Sequence, residues 1–270
     1  MNDRSKKRLK IAGTEIVILC VVILLLILLI QWNNPMKDNL PSLSFSNQAS
    51  HSLSKKESVP EQRFPREQPE REDVIYLTFD DGPNQNSEAI LNLLNDYNAK
   101  ATFFMLEPQM KRYKGAVRRM SEEGHSVGLH GVSHDQSRFY ASKHSVLSEM
   151  NQAQHTLHSI TGKQSHLIRT PYGSVPNMTP AYRRAVKQQG YHLWDWNIDS
   201  KDWEYKDKRY VQKVINKVNM LCQTDRPMVV LMHERQTTLE HLDVLLSILS
   251  EQGFTFKAVQ ESMEPVQFQS

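Results

Sequence analysis

The chain has 270 residues and a formal net charge of +3, which is also the net charge of residues 1–30. This length is enough for one domain of roughly 200 residues plus extensions. The rest of the chain is therefore neutral overall, which argues against nucleic acid as a partner. Cys20 lies in an N-terminal apolar run and only Cys222 lies outside it, so no internal disulfide is expected.

The N-terminal region has the pattern of a membrane anchor. Five basic side chains within residues 1–10 precede an unbroken apolar run from Ile16 to Ile30. Residues 11–32 supply about the twenty residues that a helix needs to cross a bilayer. No small residues stand at cleavage spacing after the run. We therefore favour an uncleaved, single-pass anchor with residues 1–10 in the cytoplasm and everything after Trp32 outside. Cleavage as a signal peptide would instead give a secreted protein.

Residues 33–73 are rich in Ser, Pro, Gln and charge, with no sustained hydrophobic period, which predicts a flexible linker. From Val74 onward, strand-like and helix-like stretches alternate. We assign residues 74–262 to one catalytic domain and residues 263–270 to a C-terminal tail.

The alternating stretches predict an α/β fold. The predicted strands are Val74–Phe79, Ala101–Leu106, Ser126–His130, His166–Arg169, Tyr191–Asn197, Met228–His233 and Phe254–Val259. The predicted helices are Ser87–Tyr97, Lys114–Glu123, Lys143–Thr161, Thr179–Gln189, Lys208–Leu221 and Leu239–Glu251. This order implies a parallel sheet of seven or eight strands, closed into a barrel, with functional residues at the carboxyl ends of the strands.

Two adjacent carboxylates, Asp80 and Asp81, end the first predicted strand and precede the turn pair Gly82-Pro83. A solvated turn is the simplest interpretation, because Asp and Gly are common turn residues. A metal ion offers another, in which one carboxylate is a ligand and its neighbour moves protons.

Two histidines, His130 and His134, follow the third predicted strand at a spacing of four residues. They are either unrelated surface residues or, if the stretch turns helical, two ligands on one face. Together with an Asp from the first strand they would leave an open position on a divalent ion for water. The similar pair His155 and His158 has no acidic motif nearby, and we assign it no role.

Further candidates follow later strands. Arg169 is expected either to orient a carboxylate or to form a surface ion pair, and the backbone N–H of Tyr172 to face a developing oxyanion. His233 is a packing residue or a general acid. Trp194 and Trp196 alternate within a predicted strand and are assigned to the core.

Five ordered motifs resemble those of the polysaccharide deacetylases, carbohydrate esterase family four, which carry a nodulation-factor deacetylase-type homology domain. The motifs are Thr78-Phe79-Asp80-Asp81-Gly82, His130-x-x-x-His134, Arg169-x-Pro171-Tyr172-Gly173, Asp199-x-x-Asp202-Trp203 and Leu231-x-His233. The resemblance spans roughly Val74 to Val259 and implies a distorted (β/α) barrel.

The resemblance also implies a role for each motif residue. Asp80 matches the catalytic base, Arg169 the arginine that steadies it, and His233 the general acid. The implied metal ligands are Asp81, His130 and His134. The remaining implied contacts are the Tyr172 N–H at the oxyanion, Trp203 and Leu231 around the acetyl group, and Asp202 or Asp199 beside His233. Zinc is the first choice of metal, and Co²⁺, Mn²⁺ or Ni²⁺ would also suit the ligands.

Gly131 departs from the family pattern, which commonly has Ser or Thr after the first metal histidine. The missing hydroxyl puts the rigidity of the loop and its metal affinity in question.

The resemblance and the predicted anchor imply metal-dependent hydrolysis of N-acetyl groups on a cell-wall or surface glycan. Peptidoglycan N-acetylglucosamine is the first choice of substrate, with N-acetylmuramic acid, chitin oligomers or exopolysaccharide as alternatives. A non-catalytic wall-binding relative and a metal-dependent hydrolase of another amide are rival interpretations. No obligate protein partner is inferred.

Overall fold

The computed structural model describes residues 73–269. The predicted cytoplasmic segment 1–10, the predicted membrane-spanning segment 11–32 and residues 33–72 of the predicted linker lie outside the described residues. Between residues 73 and 269, none of the helices combines the length and the apolar character that crossing a membrane requires.

Strands and helices alternate along the described part of the chain. The strands are β1 Val74–Asp80, β2 Ala101–Met105, β3 Ser126–Leu129, β4 Leu167–Ile168, β5 His192–Leu193, β6 Ile198–Asp199, β7 Met228–His233 and β8 Thr255–Phe256. The helices are α1 Ser87–Asp96, α2 Glu107–Arg112, α3 Lys114–Glu122, α4 Gln136–Phe139, α5 Lys143–Thr161, α6 Pro180–Gln188, α7 Asp202–Tyr205, α8 Arg209–Leu221 and α9 Gln236–Glu251.

The strands form a half-barrel in the order β5-β4-β3-β2-β1-β7-β6, and every pair is parallel. Strand β8 pairs with the beginning of β1. The register of β1 places Asp80 beside Phe104 of β2 and His233 of β7. The two adjacent carboxylates at the end of β1 therefore lie at the edge of the sheet where its neighbours β2 and β7 also end.

The predicted strand Tyr191–Asn197 was wrong in its bounds, because this segment crosses between the two edges of the sheet. The backbone N–H of Trp194 donates to the carbonyl of Ile168 on one edge (2.8 Å), and that of Asn197 donates to Val229 beside the other (3.2 Å). Four residues thus connect β5 to β6, a span that the chain can bridge because each residue reaches about 3.5 Å. The chain itself, rather than strand pairing, closes this side of the barrel.

Apolar side chains form one cluster on each face of the sheet. Ile75, Leu77 and Phe79 alternate along β1 and pack with the buried faces of the helices. A smaller cluster, which contains no buried helical residue, lies inside the barrel and comprises Phe104, Leu167, Trp194, Val229 and Val259. The period of two along a strand sends Thr78 and Asp80 to this inner face.

Residues 263–269, which the sequence predicts to be a tail, pack against the segment that closes the barrel. Asp195 accepts a hydrogen bond from the backbone N–H of Phe268 (2.8 Å). The Phe268 ring meets the Trp196 ring edge to face, with centroids 4.8 Å apart. Met263 and Val266 pack on the inner apolar cluster.

The longest helix, α5, has the predicted bounds because its ends carry strong local signals. Ser142 caps its first turn by accepting from the N–H of Ser145, and Gly162 ends it with φ +71°. The short helices α2, α4 and α7 were missed, since four to six residues show too little periodicity to be recognised.

Two glycines allow a matched test of this packing. A Cβ at Gly128 of β3 would lie 2.6 Å from the Phe104 ring, whereas a Cβ at Gly115 of α3 would meet nothing within 4 Å. We expect Gly128→Ala to lower the free energy of unfolding by about 1–3 kcal/mol. Gly115→Ala should raise it by about 0.5 kcal/mol, because alanine restricts the unfolded chain. Urea titration of both variants measures the difference, and equal effects would contradict this packing.

Candidate active site

The carboxyl ends of β1, β3, β6 and β7 surround a cleft of about 360 Å³. Nine of the eleven predicted site residues line it, namely Asp80, Asp81, His130, His134, Tyr172, Asp199, Trp203, Leu231 and His233. The other two, Arg169 and Asp202, are buried and contact residues of the lining.

Asp81, His130 and His134 form a cluster suited to a divalent metal ion. Oδ1 of Asp81 lies 3.5 Å from His130 Nε2 and 3.2 Å from His134 Nε2. The three potential ligand atoms all lie within 4.8 Å of one another. Within the described residues, this Oδ1 is buried and has no hydrogen-bond partner. Such an oxygen, facing two imidazole nitrogens, fits the donor set of a zinc site.

The tautomer of His130 follows from its neighbour. His130 Nδ1 lies 2.7 Å from the carbonyl oxygen of Arg169, which can only accept a hydrogen bond. Nδ1 therefore carries a hydrogen, and Nε2 is the ring nitrogen that faces Asp81. Burial alone would raise the pKa of Asp81, but the imidazoles of His130 and His134 outweigh it and hold that pKa well below its usual range. The carboxylate is ionised at neutral pH.

The segment from His130 to His134 does not turn helical, so the condition for placing both rings on one helix face is not met. Gly131 has φ +91° and His134 has φ +46°, and these left-handed conformations rule out a helix. The loop nevertheless brings the two rings to 5.3 Å between centroids.

Glu149, on α5, holds this loop in place. Its Oε2 accepts from the backbone N–H groups of Val132 (2.8 Å) and Ser133 (2.9 Å), and its Oε1 accepts from the Ser133 hydroxyl (2.6 Å). A Cβ at Gly131 would lie 2.9 Å from the Phe139 ring and 3.1 Å from Glu149 Oε2. Glu149 on α5 therefore gives the loop the support that a Ser or Thr hydroxyl at position 131 would otherwise supply. No sequence motif marks Glu149.

Asp80 lies beside the cluster and is 3% exposed. Its Oδ1 accepts from Nη1 of Arg169 (2.9 Å), and its Oδ2 lies 3.9 Å from His130 Nε2. The remaining Arg169 donors reach Thr78 Oγ1 (2.6 Å) and the carbonyls of Trp194 (3.3 Å) and Asp195 (2.9 Å). With four of its five N–H donors engaged, the guanidinium is fixed in place and holds Asp80 in one orientation.

His233 is paired with Asp202 rather than with Asp199. Asp202 Oδ1 lies 2.8 Å from His233 Nδ1, and Asp202 Oδ2 accepts from the His233 backbone N–H (2.8 Å) and the Thr238 hydroxyl (2.7 Å). Burial opposes ionisation of His233, but Asp202 outweighs it and raises the pKa of the imidazole. Asp199 Oδ1 instead accepts from the backbone N–H of Lys201 (2.9 Å).

The free face of His233 points to the metal-ligand cluster. Its Nε2 lies 4.0 Å from Asp81 Oδ2. The cleft therefore places two groups that can exchange protons, the Asp80 carboxylate and the His233 imidazole, next to the cluster.

Tyr172 and Trp196 complete the walls of the cleft. Tyr172 has φ +65°, and its hydroxyl donates to the carbonyl of His134 (2.9 Å). Its backbone N–H makes no hydrogen bond with any described residue. Trp194 is fully buried as predicted. Trp196 is half-buried: it packs against the inner apolar cluster, as its assignment to the core implies, and it also lines the cleft.

Glu234 supports the turn that follows Asp81, and no sequence motif indicates this role. Its carboxyl lies directly beneath Gly82, where any Cβ would overlap it. Burial raises the pKa of Glu234 to about 8, although the hydrogen bond from Ser87 opposes this shift. The side chain is therefore neutral at pH 7. Its backbone carbonyl accepts from the amide groups of Asn84 (2.7 Å) and Asn86 (3.1 Å).

We expect Glu149→Ala to weaken zinc binding by about tenfold to a hundredfold, because the loop between His130 and His134 loses its anchor. Competition against a chromogenic chelator measures the dissociation constant. Glu240→Ala is the matched control, since Glu240 is an exposed helical glutamate whose carboxylate accepts a hydrogen bond from Gln236 of the same helix. Unchanged zinc affinity in Glu149→Ala would show that Glu149 does not position the ligands.

Comparison with protein families and known proteins shows which family this chain resembles. The sequence model of the family described as polysaccharide deacetylase matches residues 67–194. The chain is 38% identical over 267 residues to the Bacillus subtilis protein YheN, named after that family, covering 93% of this chain and 92% of YheN. It is 38% identical over 200 residues to a peptidoglycan-N-acetylglucosamine deacetylase of Bacillus cereus, covering 72% of each.

A solved structure agrees with these matches. The crystal structure of the polysaccharide deacetylase Bc1974 from Bacillus cereus superposes with a TM-score of 0.67 at 35% sequence identity, covering 73% of this chain and 97% of that one. The half-barrel, the cleft at the strand ends and the extent of these similarities lead to one conclusion. The chain belongs to the polysaccharide deacetylase family, carbohydrate esterase family four.

Proposed function

We propose that this protein removes N-acetyl groups from a cell-wall glycan by metal-dependent hydrolysis and releases acetate. One observation carries the proposal: a buried carboxylate, Asp80, adjoins the Asp81, His130 and His134 cluster, and the His233–Asp202 pair faces that cluster across the cleft. Amide hydrolysis needs one group that accepts a proton and another that donates one, and Asp80 and His233 are placed to take these two parts.

Asp81, His130 and His134 would hold the metal ion. Two neutral nitrogens and one carboxylate oxygen suit zinc first, although Co²⁺, Mn²⁺ and Ni²⁺ are also compatible. When bound, a divalent ion would polarise the acetyl carbonyl and lower the pKa of a nearby water.

The side chains of this protein divide the proton transfers between them. Asp80, held in one orientation by Arg169, accepts the proton of the attacking water. The backbone N–H of Tyr172, which has no other partner in the described residues, donates to the oxyanion that develops on the acetyl oxygen. His233 Nε2 then donates a proton to the departing sugar amine, while Asp202 keeps the imidazole oriented and protonated.

The walls of the cleft suit a sugar ring. Trp196 and Trp203 offer aromatic surface, Trp203 is 40% exposed, and Leu231 contributes an apolar wall. Peptidoglycan N-acetylglucosamine is the first choice of substrate, and the name of the Bacillus cereus relative supports it. N-acetylmuramic acid, chitin oligomers and exopolysaccharide carry the same acetamido group and remain alternatives. Residues 11–32 would anchor the catalytic residues outside the membrane, close to such a polymer.

Two other functions are less well supported. A non-catalytic wall-binding protein would have no need of a buried carboxylate, three clustered ligands and a paired imidazole in one cleft. A peptide or other amide hydrolase would share the chemistry, and the choice rests on the sugar-compatible walls. Acetate release from purified peptidoglycan, with free amine then located on sugar or on peptide, tests all three. No acetate from any acetylated glycan would refute the proposal.

The roles of Asp80 and His130 can be separated by substitution. Asp80→Asn keeps the shape and removes the base, so we expect acetate release to fall by about 100-fold or more while zinc stays bound. His130→Ala removes a ligand, so zinc itself should be lost. Bound zinc measured by atomic absorption, alongside acetate release, checks the assignment. Equal zinc loss in both variants would contradict it.

The pH dependence tests the His233–Asp202 pair. A general acid must be protonated, so activity falls as the pH rises through the pKa of His233, which Asp202 raises. Asp202→Asn removes the carboxylate charge and lowers that pKa, so the alkaline limb of the kcat profile should move to lower pH. Asp199→Asn should leave the position of this limb unchanged. If both variants moved it equally, Asp202 would not be the partner of His233.

A further inference from the structure

A second groove opens from the cleft on the side of β6. It has a volume of about 610 Å³ and shares Trp196 and Asp199 with the cleft lining. Its cationic side chains are Lys201, Lys213, Lys217 and Arg226. Because the two linings share these residues, a glycan strand seated with one sugar in the cleft would bring an adjacent unit or its substituent close to this groove.

The cations of this groove are poorly neutralised. Within residues 73–269, Lys213, Lys217 and Arg226 form no ion pair. Asp199 is the acidic residue of the lining, and its carboxylate is already engaged by Lys201, which lies 3.9 Å away and also donates its backbone N–H. The groove thus carries net positive charge in a part of the chain that is neutral overall.

The stability of α8 does not explain these charges. Lys213 and Lys217 are four residues apart and adjoin on the same face of the helix, where like charges repel. Replacing either with a neutral residue would relieve that repulsion. An anionic ligand between them and Arg226 would turn the repulsion into attraction.

The lining of the groove is also partly apolar and aromatic. It includes Trp196, packed edge to face against Phe268, together with Leu221 and Val266. Cationic side chains beside apolar surface suit a short peptide that carries carboxylates on an aliphatic backbone. A neutral sugar chain would gain nothing from the cationic side chains.

We propose that this groove binds the carboxylates of the peptide substituents carried by the peptidoglycan strand whose acetyl group lies in the cleft. The inference rests on the proposed function and adds a source of specificity to it, since chitin oligomers lack such carboxylates. Exposed ion pairs contribute little one at a time, but three around one anionic ligand would give about a tenfold preference. Salt should weaken that preference.

The test compares two soluble disaccharide–peptide fragments that differ only in charge, one with free carboxylates and one with those groups amidated. With the full chain loaded with zinc, the dissociation constant is measured by calorimetry and KM by acetate release. The free-carboxylate fragment should bind about tenfold more tightly at low salt. Replacing the three free cations together, by Lys213→Gln, Lys217→Gln and Arg226→Gln, should abolish the preference.

The matched control replaces three exposed cations outside the groove, by Lys143→Gln, Arg184→Gln and Lys187→Gln. It removes the same charge from the chain, so it should retain the preference if the groove acts locally rather than through the overall field. The reversal variant Lys213→Glu with Lys217→Glu should favour the amidated fragment. Failure of the unaltered chain to distinguish the two fragments, or equal loss in both triple variants, would overturn the inference.

The two measurements separate this inference from the proposed function. If neither fragment releases acetate and the difference in dissociation constant remains, deacetylation is refuted and the anionic groove stands. If acetate is released equally from both fragments and they bind equally, deacetylation stands and the anionic groove is refuted.

Discussion

The buried contact between Asp80 and Arg169 organises the site, because it ties the central strand to the segment that closes the barrel. The Arg169 guanidinium lies inside the barrel, 4.3 Å from the Phe104 ring centroid and 5.5 Å from that of Trp196. Its donors are shared between β1 and the carbonyls of Trp194 and Asp195. A buried charge of this kind is tolerated only when its partners are all present, and loss of one costs about 3–5 kcal/mol. The orientation of Asp80 and the closure of the barrel therefore depend on one another.

The same closing segment also orients the loop that carries Tyr172. Asp195 accepts hydrogen bonds from the backbone N–H and hydroxyl of Ser174 (2.9 and 2.5 Å) and from the N–H of Phe268. Three residues around the cleft, Asp81, His134 and Tyr172, have φ between +46° and +71°. Left-handed conformations at non-glycine residues are uncommon, and the surrounding contacts must maintain them. In this protein those contacts come largely from Glu149, Glu234 and Asp195, which lie outside the catalytic motifs.

The sequence was most informative where a reactive residue ends an apolar strand. Asp80, Asp81, His130 and His233 were placed correctly on one rim, because parallel strands end at the same edge and the apolar runs before these residues are unambiguous. Their roles in catalysis stay predictions. The number of βα units was also readable, since Gly and helix caps separate them. These patterns depend only on neighbouring residues, so they can be recognised in the sequence before the fold is known.

Contacts between distant parts of the chain were not readable. No residue pattern near Glu149 indicates that its carboxylate accepts hydrogen bonds from a loop that lies sixteen residues earlier in the chain. The segment from Trp194 to Asn197 looks like a strand by pattern, yet it crosses a gap whose width only the assembled sheet sets. The choice between Asp199 and Asp202 depended on Lys201, whose φ of +62° redirects the chain between them. Each of these outcomes depends on tertiary geometry that one sequence does not encode locally.

The strand order has a further consequence for the timing of synthesis. The metal-ligand cluster is complete by residue 134, but β7, with the imidazole at its end, is made almost a hundred residues later and must join the middle of the sheet beside β1. Until then one edge of the central strand has no partner among β2 to β6. A nascent chain leaving the ribosome would thus contain all three proposed metal ligands well before it contains the proposed proton donor, His233.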